Sequence, residues 1–115
     1  MREVNRSAIV VRPKQPFLKW LQSVDLTSSG LTLQELRQEP DVYLIPECES
    51  EEDFTACLRE MFPVLFEVQL EGWWTNRADW PANRTFETFH AWFDCRFHSM
   101  VIDLDDYKPL IQEQI

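Results

Sequence analysis

The chain of 115 residues is long enough for one domain with its own core and too short for two. Apolar side chains make up 44% of it and aromatic ones 13%, with only 2 glycines, which excludes disorder over most of its length. Its 20 acidic and 11 basic residues give a net charge of −9, and the basic residues are scattered, which argues against a nucleic-acid partner. We therefore expect a single globular domain over residues 1–115, and the acidity favours either solubility alone or a basic protein partner.

The N-terminal segment and the cysteines indicate in which cellular compartment the protein is found. Charges interrupt the first apolar run, and no apolar stretch approaches the roughly 18 residues needed to cross a membrane. The cysteines, Cys48, Cys57 and Cys95, are odd in number and match neither a redox pair nor a zinc knuckle. These features predict a cytoplasmic protein without a membrane partner.

Three short segments rich in branched apolar residues are predicted strands. They are SAIVVR (residues 7–12), DVYLIP (41–46) and SMVIDL (99–104). None alternates cleanly between apolar and polar residues, so we expect each strand to be covered on both faces, as in parallel sheets.

Between these strands, apolar residues recur at helical spacing, which predicts helices. Pro16 opens a first helix, and Thr32 with Glu35 predicts a capping box for a short second one. Ser50 caps a long helix whose apolar stripe continues across Pro63, so the proline should kink this helix or join two coaxial ones. A last helix is predicted over about 86–97, where four phenylalanines lie in line: Phe86, Phe89, Phe93 and Phe97.

The resulting order of elements is β-α-α-β-α-α-β. Helical crossovers between strands usually give parallel pairing, so we predict an α/β fold with a small, three-stranded, mainly parallel sheet packed by helices. The strand order 2-1-3 is favoured because it lets helices cover both faces.

The segment HAWFDCRFH contains the best catalytic candidates. His90, Asp94 and His98 are spaced by four residues, which on one helix places them on one side, within reach of a metal or a proton relay. This alternative hypothesis is a small metal-dependent or acid/base enzyme centred on the 90–98 helix.

The segment GWWTNRADWPANR, residues 72–84, places three tryptophans among charged residues. Because exposing all three would invite aggregation, we expect at least two to pack as a lid, with Arg77 stacked on an indole. The same residue types are enriched where proteins bind one another. The predicted binding residues are therefore Trp73, Trp74, Arg77 and Trp80.

No familiar catalytic device is present in the sequence. It has no nucleophile elbow, no metalloprotease motif and too few glycines for a phosphate loop. We therefore predict no catalytic residue, no metal and no cofactor. A small acidic protein-binding or regulatory module is the favoured function, and a homo-oligomer of purely structural role is a further alternative.

Most of the chain carries a resemblance. The segments NRSAIVVRPKQPFLKWL, DVYLIPE and WFDCRFHSMVIDL resemble a group of short, uncharacterised bacterial proteins that have no assigned activity. The resemblance implies a bacterial, cytoplasmic, single-domain protein, and it implies no catalytic or binding residue.

Overall fold

The structure is a computed structural model that describes residues 1–115. Its strands are β1 (Arg2–Val4), β2 (Ser7–Pro13), β3 (Asp41–Ile45), β4 (Phe93–His98) and β5 (Val101–Asp103). Its helices are α1 (Gln15–Val24), α2 (Leu33–Leu36), α3 (Glu51–Glu71) and α4 (Phe86–Trp92). Short 3₁₀ turns lie at Leu26–Ser28 and Arg77–Asp79.

The strands form two small antiparallel sheets. Strand β2 lies at the centre of the larger sheet, between β3 and β4, and β1 pairs with β5 in a separate ribbon. Opposite Val11 stand Asp41 on one side and Cys95 on the other. All neighbouring strands run antiparallel.

The predicted mainly parallel sheet is therefore wrong. A single helical crossover brings a chain back parallel to its first strand, whereas β2 and β3 are joined by α1, a 3₁₀ turn and α2. The additional elements let the chain turn once more, so β3 starts at the end of the sheet where β2 stops. The prediction counted helices as crossovers and missed this extra reversal.

The predicted last helix is also too long, and the third strand of the main sheet was misplaced. Helix α4 ends at Trp92, and residues 93–98 form β4 directly after it. Only part of the predicted 99–104 strand is extended, as β5, and it pairs with β1 outside the main sheet. A spacing of four residues fits both a helix turn and two strand repeats, so Phe93 and Phe97 satisfy either pattern.

The predicted helix starts are confirmed. The Thr32 hydroxyl accepts from the Glu35 backbone N–H while the Glu35 carboxylate accepts from Thr32, which is the full capping box. The Ser50 hydroxyl likewise caps α3, because it accepts from the Asp53 backbone N–H. Helix α3 continues through Pro63 as one element of 21 residues. No helix is both long and apolar enough to cross a membrane.

One face of the main sheet carries the core. Ile9, Val11 and Phe93 point to this face and pack with Phe66 of α3 in a cluster of 15 buried residues. On the opposite face, Val42 and Leu44 of edge strand β3 are 64% and 51% exposed. The expectation that every strand is covered on both faces is therefore wrong.

Cys95 lies on the core-facing side of β4, and we expect it to resist alkylation. Burial, together with the nearby Asp94 carboxylate, raises the pKa of the Cys95 thiol from 9.0 to about 12. The thiolate is the reactive form, so at pH 8 its population falls about a thousandfold relative to an unshifted thiol. Iodoacetamide labelling followed by peptide mass spectrometry should show Cys95 protected in the folded protein and labelled in guanidinium. Equal labelling rates in both states would contradict the burial of this thiol.

Candidate functional site

The three candidates of the 90–98 segment do not share a side of one helix. His90 lies on α4, where its ring packs edge-on against Phe86 with centroids 4.4 Å apart. Asp94 and His98 lie on β4, and the Asp94 carboxylate forms a salt bridge with the Arg37 guanidinium, with 3.4 Å between the nitrogen and oxygen atoms. The structure contains no group of three His, Cys, Asp or Glu side chains that could hold a metal ion. The predicted shared helix is thus wrong, and the arrangement offers no common site.

The tryptophan loop is folded around Trp80. This indole is only 7% exposed and donates from Nε1 to the Trp74 carbonyl over 2.8 Å. The Trp74 indole donates in turn to the Asp79 carboxylate over 2.9 Å. The Arg77 guanidinium lies 5.0 Å from the Trp80 ring centre, so the predicted stacking is confirmed. Trp80 therefore closes this end of the core, and its own surface is almost unavailable to a ligand.

Trp73 is the tryptophan of the loop that stays exposed. It is 43% exposed, and its indole N–H donates to no protein acceptor. Arg77 is exposed as well, and Trp74 is half-buried. Among the four predicted binding residues, Trp73 and Arg77 thus present the most surface, and their role in binding stays a prediction.

Trp73 forms one wall of a cleft at the end of the main sheet where β2 stops and β3 begins. We call it the Trp73 cleft; its volume is about 240 Å³. It lies between α2, the segment before β3 and the C-terminal end of α3. The residues that line it are Val11, Pro13, Leu36, Glu39, Pro40, Asp41, Gln69, Gly72 and Trp73.

A small polar network borders the cleft. Gln69 is 4% exposed, and its Nε2 donates to Asp41 Oδ2 over 2.9 Å and to the Tyr43 hydroxyl over 2.7 Å. The Tyr43 hydroxyl also lies 3.4 Å from Asp41 Oδ2. Burial raises the pKa of Tyr43 to about 12, so this hydroxyl stays neutral at physiological pH. The network fixes the Asp41 carboxylate and the Gln69 amide at the cleft.

The Gln69 carbonyl oxygen has an acceptor site to spare. Both hydrogen bonds of the side chain use Nε2, and Oε1 accepts none. The one side-chain polar atom that is sealed from solvent without a partner is Arg12 Nε, so Gln69 Oε1 reaches solvent. Because Gln69 lines the cleft, a nearly buried side chain offers a free acceptor at this site.

The charged side chains that line the cleft are all acidic, while the Arg37 guanidinium donates to the carbonyl of the lining residue Pro13 over 2.9 Å. Glu39 and Asp41 line it, and no arginine, lysine or histidine does. A groove of about 430 Å³ shares Leu36, Glu39 and Trp73 with it and adds Glu35. The C-terminus of α3, the negative end of a 21-residue helix, reaches the cleft at Gln69 and Gly72. The arrangement is suited to bind a cation, and no serine, cysteine, histidine or lysine is present there as a nucleophile or base.

Sequence reasoning included Trp73 and missed the rest of the cleft. Asp41 is only the first residue of the predicted 41–46 strand, Gln69 is no candidate at all, and 28 positions separate them in the chain. One signal was present: Gln69 interrupts the apolar face of α3 between Phe66 and Leu70, which are fully buried. A polar residue on a buried helix face needs a polar partner, although the sequence does not say which one.

Comparison with protein-family models gave no match, and neither did comparisons with curated proteins and with solved structures.

Proposed function

We propose that this protein is a protein-binding module that recognises a basic partner through the Trp73 cleft and the adjoining groove. One observation carries the proposal: an exposed indole stands over a cleft and groove lined by Glu35, Glu39 and Asp41 without any basic side chain. Tryptophan is enriched at the centres of protein interfaces, and a patch of one charge sign steers a partner of the opposite sign.

The charge of the whole molecule supports this direction. A net charge of −9 gives a long-range field that raises the encounter rate with a cationic protein and repels an acidic one. Arg77, exposed on the same loop, would lie at the rim of such an interface. We further propose a regulatory role in the bacterial cytoplasm, which agrees with three free cysteines and the sequence resemblance.

Affinity capture with a matched pair of variants tests the function. The tagged protein and its Trp73→Ala, Glu39→Gln double variant are used to capture proteins from a lysate of the source cells. Both residues are exposed, so the variant should fold normally. We expect a stoichiometric basic protein to be retained by the wild-type chain, released as salt is raised and lost from the double variant.

A control variant separates the cleft from general acidity. Glu87 is exposed on α4 and lines neither the cleft nor the groove. The Glu87→Gln variant removes one acid elsewhere and should retain the partner. If the wild-type and double-variant chains retain the same proteins, the cleft is not the binding surface and the proposal fails.

A further inference from the structure

We propose that the Trp73 cleft binds the guanidinium group of an arginine side chain. This inference rests on the proposed function and specifies its chemistry. It follows from the size of the cleft, from the groups that line it and from the hydrogen-bonding capacity that they leave unused.

The size of the cleft favours a single side chain. Sites for small molecules and cofactors usually have about 300–1,000 Å³, whereas the Trp73 cleft has about 240 Å³. It opens into the groove beside α2 along Glu39 and Trp73. A side chain can therefore enter the cleft while the backbone that carries it stays in the groove.

The lining groups are acceptors arranged around an aromatic wall. Asp41 receives both of its hydrogen bonds on Oδ2, so Oδ1 remains free. Gln69 Oε1 is free as well, and the Glu39 carboxylate is exposed at the same cleft. Among the side chains that line the cleft, the Trp73 indole is the one whose N–H donates to no protein acceptor.

These acceptors match a guanidinium better than an ammonium group. A guanidinium has five N–H donors in one plane and no acceptor, so it can bond to a carboxylate and an amide oxygen together. Its flat faces also stack on an indole, and it is weakly hydrated compared with an ammonium group. The negative end of α3 adds an attraction for any cation at this position.

A tripeptide titration followed by NMR tests the inference with the intact protein. The probe is acetyl-Gly-Arg-Gly-amide, and its matched control contains citrulline, which keeps the shape of arginine without the charge. We expect the arginine probe to shift the Trp73 indole N–H and Gln69 side-chain amide signals with a Kd of roughly 1 mM. The citrulline probe should bind at least about tenfold more weakly, because charge-assisted hydrogen bonds are lost.

Two variants localise the effect. Asp41→Asn keeps an oxygen that can accept from Gln69 but removes the charge, and Trp73→Ala removes the exposed wall. Each should weaken the arginine probe at least about fivefold. Glu87→Gln removes a charge outside the cleft and should leave the affinity unchanged.

Each outcome decides a separate point. Equal shifts with citrulline, or equal binding of a lysine tripeptide, would overturn the guanidinium assignment. A partner captured in a Trp73-dependent way, together with no shift from the arginine probe, would overturn this inference and leave the binding function standing. Binding of the probe without any captured partner would support the inference and count against the proposed function alone.

Discussion

Replacing Trp80 with alanine is expected to lower the free energy of unfolding by about 3–5 kcal/mol, the usual cost of truncating a large buried aromatic side chain. Trp80 is 7% exposed and belongs to the main core cluster. Its removal leaves a cavity under the loop, deprives the Trp74 carbonyl of its 2.8 Å donor and takes away the ring under Arg77. Chemical denaturation in urea, followed by circular dichroism, measures the loss.

The Trp73→Ala variant is the matched control in the same loop. Because the Trp73 side chain is 43% exposed and makes no hydrogen bond through its indole, its loss should change stability by less than about 1 kcal/mol. The two variants therefore divide the loop into a structural part and a surface part. A comparable loss of stability in both would show that Trp73 is part of the lid, and its role in binding would need another explanation.

Replacing Ser7 with alanine should cost about 1–3 kcal/mol, although the change removes a single oxygen atom. The Ser7 side chain is fully buried, and its hydroxyl accepts from the Cys48 backbone N–H over 2.9 Å. The hydroxyl also lies 3.0 Å from the Ser99 carbonyl oxygen, to which it can donate. In the alanine variant the Cys48 N–H, which has no other acceptor, stays buried and unpaired.

An exposed serine provides the comparison for this prediction. The Ser23 hydroxyl donates to the Trp20 carbonyl within α1 and is open to water, so Ser23→Ala should change stability by less than about 0.5 kcal/mol. Parallel urea titrations of both variants measure the difference. If Ser7→Ala unfolds at the wild-type urea concentration, the contact between β2 and the segment after β3 does not stabilise the fold.

Local features of the fold could be predicted from the sequence because neighbouring residues determine them. Thr32 and Ser50 cap their helices as expected, since each hydroxyl accepts from a backbone N–H three residues ahead. The stacking of Arg77 on Trp80 also depends on neighbours, only three residues apart. These interactions do not depend on how the rest of the chain is arranged.

Strand direction could not be predicted in the same way. It depends on how many times the chain reverses between two strands, and the short α2 contributes to a reversal that hydrophobic spacing does not reveal. Strand β4 was mistaken for a helix because its core-facing Phe93 and Phe97 are four residues apart. The intervening Cys95 also faces the core, which is the repeat of a strand.

The same distinction between local and long-range contacts applies to the candidate site. Trp73 could be identified because three tryptophans lie close together among charged residues, and tryptophan and arginine are enriched where proteins bind one another. Its association with Asp41 and Gln69 depends on how α3 packs against the start of β3, which is a long-range contact. The polar Gln69 on a buried helix face indicates that a partner is needed, but no single segment indicates that Asp41 is that partner.

The pairing of the central strand has a consequence for how the chain folds during synthesis. Strand β2 is synthesised well before its partner β4, because Ala8 lies opposite His98 in the sheet. Strand β1 must likewise wait for β5. One edge of β2 therefore stays unpaired until β4 has been translated, and contacts between such distant residues form slowly. A nascent chain that stops before residue 93 therefore has an open strand edge, which can pair with other chains.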